Sequence, residues 1–241
     1  MVLACMSPEE TGSFYDDVLP IQINGDFQSL MGRQDADTFA GITAQLTSIA
    51  IEGAEAKSLE EFEQFKKRNF PRYCKRILAA MNFVQSTSIS ADATADIVRD
   101  LYKRTVEVIE GAVTLTQEER VESIFCLATL DRAHGFAHLC RNPLLNSQDS
   151  AKDAELALEF NADFIYAQFH LGCLLASIRL SKPLPSEVVY GILDGFREGS
   201  LECYSTVREA IDLRLATPDA SEYACDRDAE RGGVNNLSAV G

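Results

Sequence analysis

The chain lacks the common sequence motifs of nucleotide-binding proteins and hydrolases. Its 241 residues include no tryptophan and only three histidines. It has no phosphate-binding glycine loop, no dinucleotide-binding glycine fingerprint and no G-x-S-x-G nucleophile motif. No apolar run approaches the roughly 20 residues that a membrane-spanning helix needs. These absences exclude the common nucleotide-binding and hydrolase templates, favour a non-enzymatic role and predict no membrane span.

Basic residues are scarce compared with acidic ones. The chain has 22 Lys and Arg against 37 Asp and Glu, which gives a net charge of −15. Such a charge repels phosphate backbones and anionic lipid, so we expect neither general nucleic-acid binding nor a membrane partner. Hydrophobic residues make up 46% of the chain, enough for the core of a single domain.

The cysteines lack the pattern of a disulfide or zinc framework. They are odd in number, and none forms a C-x-x-C pair. Their positions are 5, 74, 126, 140, 173, 203 and 225. Most fall in apolar helical stretches, where a free thiol behaves as a small hydrophobic side chain. The first residues also lack the basic and apolar regions of a signal peptide. We therefore expect a reducing, cytoplasmic location.

Helical periodicity runs through most of the chain and predicts an all-α fold. Ser58 with Glu61, and Thr116 with Glu119, are capping-box patterns that begin helices. Pro71 should kink or restart the helix in which it lies. With short connections and no convincing strands, the pattern predicts an antiparallel bundle of six or seven helices.

Three segments follow from this pattern. Residues 1–35 form an irregular N-terminal segment in which Asn-Gly at positions 24 and 25 suggests a small hairpin. Residues 36–217 form a single helical domain, with its most regular core hairpins over 116–216. Residues 218–241 are polar and have little to bury, so a mobile tail is expected.

The three histidines lie in two helical stretches with polar neighbours on the same face. Asp131, His134 and His138 form one set, and Asp163, Tyr166, His170 and Cys173 form the other. If the two helices are antiparallel neighbours related about residue 145, His134 lies level with Leu156. His170 is then on the order of 20 Å away along the axis. A single ion shared by all three histidines is therefore not expected.

Smaller sites remain as alternatives. A divalent metal would take two histidines and a carboxylate; its ligands would be drawn from His134, His138, Glu155 and Glu159. A second set would join His170 and Cys173 to Glu119 or Glu122, and the same His–Cys pair is a candidate nucleophile that lacks an evident oxyanion hole. The structural alternative is that each histidine simply hydrogen-bonds an aspartate or a backbone carbonyl at a helix interface.

A cluster of basic residues interrupts this acidic chain. We call it the basic patch, and its members, with one interleaved tyrosine, are Lys66, Lys67, Arg68, Arg72, Tyr73, Lys75 and Arg76. Such a local reversal of charge could bind a phosphate, an acidic peptide or a short stretch of nucleic acid, although charge runs are usually solvated faces. The alternative is internal pairing, for which Glu63 stands four residues before Lys67.

Three glycines recur every four residues in the last helix, at positions 191, 195 and 199. Each costs about 1 kcal/mol relative to alanine inside a helix, so the row needs a compensating contact. Pairing across the preceding turn places Gly195 beside Gly172 and Gly191 beside Ala176, which predicts close helix packing. Glu198 and Glu202 border the row and leave a groove as the alternative.

The function that the sequence favours is that of a non-enzymatic, cytoplasmic interaction or regulatory protein. It would engage a protein partner or an acidic ligand through helical surfaces that include the basic patch at 66–76. The alternatives are a helical-bundle metalloprotein that uses His134 and His138, and a small-molecule binder with a pocket between helices. The interaction or regulatory role requires no cofactor, whereas the metalloprotein alternative requires a divalent metal.

Overall fold

The computed structural model of the chain describes residues 33–86, 91–139 and 151–216. These ranges hold six helices, which we number α1 Arg33–Gly53, α2 Leu59–Ser86, α3 Ala91–Glu110, α4 Gln117–Leu139, α5 Ala151–Arg179 and α6 Ser186–Ala216. No strand occurs within them. The prediction of an all-α bundle is therefore confirmed for the described part. The predicted N-terminal hairpin and the predicted tail at 218–241 lie outside the described residues.

The local signals for helix starts are confirmed. The Thr116 amide donates to Glu119 Oε2 at 2.7 Å, and the Glu119 amide donates to Thr116 Oγ1 at 3.2 Å, which is a complete capping box. Ser58 Oγ accepts from the Glu61 amide at 3.2 Å. The Glu61 carboxylate accepts from the Lys57 amide at 2.9 Å, one residue before the position that the box requires.

Proline at position 71 does not end its helix. Of the two predicted outcomes, a kink or a restart, the restart does not occur. α2 continues from Leu59 to Ser86 with Pro71 inside it. A proline inside a helix removes one backbone hydrogen bond, a local cost of about 3 kcal/mol. Here the helix is held by its packed face, on which Phe62, Tyr73 and Ile77 are each 0% exposed. Burial of that face outweighs the local cost.

Helix α5 lies at the centre of the bundle. All eleven residues from Ala167 to Ser177 are buried. One side of α5 joins a core cluster with α1 and α2, and another side joins a second cluster with α3 and α4. α6 contributes to both clusters and forms the most extensive contact with α5. Among the described helices, none combines the length and the apolarity that crossing a bilayer requires.

The neighbours of α4 differ from the prediction. Its main partners are α6 and α3 rather than α5, and Arg197 Nη1 of α6 lies 3.0 Å from Glu122 Oε1 of α4. The side chains that do reach α5 also meet it in a different register. The ring of His134 lies 5.9 Å from that of Phe164, not level with Leu156. Periodicity within a helix does not specify which neighbour its apolar face will meet.

The glycine row provides the predicted close packing, with different partners. A Cβ on Gly195 would lie 2.2 Å from His170 Nε2, and one on Gly199 would lie 2.8 Å from both the Ala167 nitrogen and the Asp163 carbonyl oxygen. Gly195 therefore faces His170 instead of Gly172. Gly191 faces Leu59, the first residue of α2, instead of Ala176, and a Cβ on Gly191 would lie 2.5 Å from Leu59 Cδ1.

Candidate interaction surface on helix α2

The basic patch lies mostly on the solvent side of α2. Its exposed members are Lys67, Arg68, Arg72, Lys75 and Arg76, whereas Lys66 is half-buried. Between Glu63 and Asp92 the sequence contains no acidic residue. More than two turns of the helix therefore present positive charge that its own neighbours along the helix do not offset.

Few of these cations have a carboxylate partner. Glu63 pairs with Lys66 at 2.7 Å rather than with Lys67 as the sequence spacing suggested. Arg72 Nη1 donates to the amide oxygen of Asn69 at 2.7 Å, so its partner is neutral. Of the residues that the structure describes, none places a carboxylate within ion-pairing distance of the other four exposed cations. Internal pairing thus accounts for only one member of the patch.

Tyr73 does not belong to this surface, although the sequence grouped it with the patch. It is 0% exposed, and its ring lies 5.3 Å from that of Phe169 in α5. Burial raises the pKa of its hydroxyl well above the usual value. Tyr73 is therefore a core residue that anchors α2, and the exposed surface consists of the five cations alone.

His170 is a packing residue. It is 0% exposed, its Nδ1 lies 2.8 Å from the Tyr166 carbonyl oxygen, and its Nε2 has no hydrogen-bond partner. Its pKa is lowered to about 4, chiefly by burial; the hydrogen bond to the Tyr166 carbonyl raises the pKa, and the charge of Lys66 contributes to the lowering. A neutral ring is thus wedged between α5 and Gly195 of α6. This arrangement matches the structural alternative of a histidine bonded to backbone.

His134 of α4 lies in a different aromatic environment. His134 contacts Tyr102 and Phe164, with ring centroids 6.5 and 5.9 Å apart. Phe164 precedes His170 by six residues, which corresponds to about 9 Å along α5 and about 120° around it. The axial separation inferred from sequence was therefore too large, yet the two rings point to different parts of the core.

The metal hypothesis stays a prediction. Across residues 33–86, 91–139 and 151–216, no three His, Cys, Asp or Glu side chains are grouped so as to hold an ion. Glu155 and Glu159 are exposed on α5, and the side chain of His138 lies outside the described residues. Elemental analysis of protein purified without metal-affinity resin, with His134→Ala and His138→Ala as controls, tests the hypothesis.

The second histidine set has its proposed acids engaged elsewhere. Glu119 belongs to the capping box of α4, and Glu122 pairs with Arg197. Cys173 is fully buried, and a Cβ on Gly53 would lie 2.6 Å from its sulfur. Burial raises the pKa of the Cys173 thiol, which keeps it protonated and weakens it as a nucleophile. Cys173 is therefore a core residue, like the other buried free thiols, Cys126 and Cys203.

A groove beside the basic patch is the main feature that sequence reasoning did not resolve. It is a cavity of about 640 Å³ between α2, α5 and α6. Its α2 wall is Phe70, Cys74 and Leu78, and its α6 wall includes Glu198 and Glu202. The two glutamates beside the glycine row were the available signal. We call this cavity the acidic groove.

Carboxylates crowd the acidic groove. Asp163 of α5 lines it together with the two α6 glutamates. Burial, together with the nearby charges of Glu202, Glu159 and Glu198, raises the pKa of Asp163 to about 6. The raised pKa means that burial and the neighbouring carboxylates disfavour the ionised form of Asp163.

At its other end the groove meets the basic patch. A second cavity of about 450 Å³ is lined by Lys66 and Lys67 together with Glu60 and Glu63. The two cavities share Phe70 and Tyr166, whose rings meet edge to face with centroids 5.5 Å apart. The acidic groove therefore borders a cavity of mixed charge across one aromatic pair.

Comparisons of the chain with protein-family models, with curated proteins and with solved structures return no match.

Proposed function

We propose that this chain is a non-enzymatic, cytoplasmic interaction protein that binds an acidic segment of a protein partner through the basic patch of α2. The observation that carries the proposal is the set of five exposed cations on one helix, of which none is paired with a carboxylate among the described residues. The chain as a whole has a net charge of −15 and repels anionic partners. The basic patch is the surface at which such a partner is attracted.

The anchoring of α2 supports this role. Phe65, Phe70 and Tyr73 all pack against Phe169, with ring centroids 5.8, 5.4 and 5.3 Å apart. The helix that carries the cations is thereby held on the core without using the cations themselves. A preorganised charged face loses less conformational freedom when it binds a partner.

Fluorescence anisotropy with a labelled oligoglutamate peptide tests the proposal. The wild-type chain should bind the peptide, and binding should weaken as salt is raised. The variant Lys67→Glu/Arg68→Glu/Lys75→Glu/Arg76→Glu should bind at least about tenfold more weakly, since four exposed charges at a few tenths of a kcal/mol each reach that factor.

A matched control separates the patch from overall charge. Reversal of four exposed cations elsewhere gives the same net charge; the control residues are Lys57, Lys103, Arg132 and Arg208. The control should retain most of the affinity. Equal losses in the two variants, or no binding by the wild-type chain, would overturn the proposal.

A further inference from the structure

We propose that the acidic groove is a second docking site, which takes a short amphipathic helix bearing lysine or arginine. The groove combines an apolar wall on α2 with carboxylates on α5 and α6. The groove therefore selects a positively charged partner, whereas the basic patch selects a negatively charged one. This proposal is independent of the function proposed above.

The apolar half of the site is exposed. Leu158 of α5 is 72% exposed and Leu78 of α2 is 43% exposed, and both line the groove. Side chains of this size gain from being covered, and their grouping at one cavity marks an interaction surface more strongly than scattered exposure would. The half-buried Phe70 closes the apolar wall at the opposite end.

The charged half of the site determines the occupant. Asp163, Glu198 and Glu202 line the groove, and no lysine or arginine does so. None of the three has a cationic partner among the ion pairs of the described residues. A ligand with basic side chains on one face and apolar side chains on the other satisfies both walls.

The length of the groove matches a short helix. On α5 its lining extends over the nine residues from Leu158 to Tyr166, an axial length of about 12 Å. A helix of two to three turns, with apolar residues at positions i, i+4 and i+7, covers this distance and keeps its basic residues toward α6. A single organic amine would fill the charged end but leave the leucines uncovered.

The test uses a labelled 14-residue helix of leucine and lysine with all leucines on one face. The wild-type chain should bind it, and Glu198→Gln/Glu202→Gln should weaken binding about tenfold. The control Glu107→Gln/Glu118→Gln alters two exposed acids on other helices to the same net charge and should change affinity less than about twofold. Equal weakening in both variants would mean diffuse attraction to an acidic protein and would overturn the proposal.

A second pair of variants tests the apolar wall. Leu78→Ser/Leu158→Ser should also weaken binding about tenfold, whereas Val113→Ser/Val121→Ser, at exposed positions outside the groove, should not. Because all four side chains are exposed, the variants should fold, and circular dichroism checks this. An analogous peptide with serine in place of leucine should bind poorly, and unchanged binding would contradict the apolar wall.

Sedimentation of the wild-type chain tests whether a second copy of this chain occupies the groove in place of a basic peptide. The proposal expects that the glutamine substitutions at 198 and 202 leave the sedimentation coefficient unchanged. If they instead dissociate a wild-type dimer, the groove is filled by a second copy of this chain, and the proposal of a basic peptide partner falls.

Discussion

Helix α5 packs against α6 through residues without side chains and against α2 through large aromatic side chains. Toward α6, glycines remove side chains, and backbone meets backbone: a Cβ on Gly199 would lie 2.8 Å from main-chain atoms of α5. Toward α2, three aromatic rings surround Phe169 with centroids 5.3 to 5.8 Å away. The first interface brings the helices together, and the second holds them apart.

The difference explains where the groove forms. Aromatic side chains fill the gap between α2 and α5 as far as Phe70, but the next residues on that face are Cys74 and Leu78. These side chains are too small or too exposed to fill a gap set by aromatic rings, so the space stays open to solvent. Close packing of α6 on α5 then brings Glu198 and Glu202 to its edge.

The largest expected effect comes from removing the centre of the aromatic interface. Phe169→Ala should lower the free energy of unfolding by about 3–5 kcal/mol, since it deletes a ring that is 0% exposed and contacts three others. Urea denaturation measures the loss. Leu158→Ala, at a residue 72% exposed on the same helix, should change stability by less than about 0.5 kcal/mol. Similar losses of stability in both variants would contradict the role of the aromatic rings around Phe169 in holding α2 and α5 apart.

Glycine at position 199 tests the other interface. Gly199→Ala should destabilise the fold by about 1–3 kcal/mol, because the new methyl group meets backbone that cannot move aside. Gly41→Ala, where nothing lies within 4 Å, should instead stabilise by about 0.5–1 kcal/mol through helix propensity. Chemical denaturation of both variants gives the comparison. Stabilisation in both would mean that α6 has room to shift.

The smallest effect is a difference in pH dependence between two groups on α5, one in the α5–α6 contact and one in the acidic groove. In the α5–α6 contact, His170 has a folded pKa of about 4 against an ordinary 6.5, so its contribution is lost as pH falls from 6.5 through 4. In the groove, Asp163 has a folded pKa of about 6 against an ordinary 3.8. Its protonation therefore adds stability as pH falls through 6 toward 4.

Asp163→Asn separates the two titrations. The variant should be about 1 kcal/mol more stable than the wild-type chain at pH 7, a value reduced for solvent screening of a half-buried group. It should lose stability more steeply between pH 6 and 4, because the opposing titration is gone. Urea unfolding at each pH measures both. Parallel profiles would contradict the raised pKa of Asp163.

The sequence predicted the local features well and the neighbours poorly. Capping residues such as Thr116 and Glu119 and the glycine row act within a few residues, so their patterns are readable along the chain. The partner of α4, the register of His134 against Phe164 and the burial of Tyr73 depend on contacts between distant segments. For the candidate surface, the cluster of cations could be predicted from the sequence. That these exposed cations have no carboxylate partner among the described residues could not.

The sequence by itself determined that this chain folds into helices, that the capping boxes at Ser58 and Thr116 begin two of them, and that positive charge gathers on α2. Those properties come from backbone propensity, caps and periodicity, which act over one or two turns. Only the tertiary structure decided that α2 continues through Pro71 and that an acidic groove opens beside Phe70. Both depend on side-chain volumes summed across three helices, which no single helix encodes.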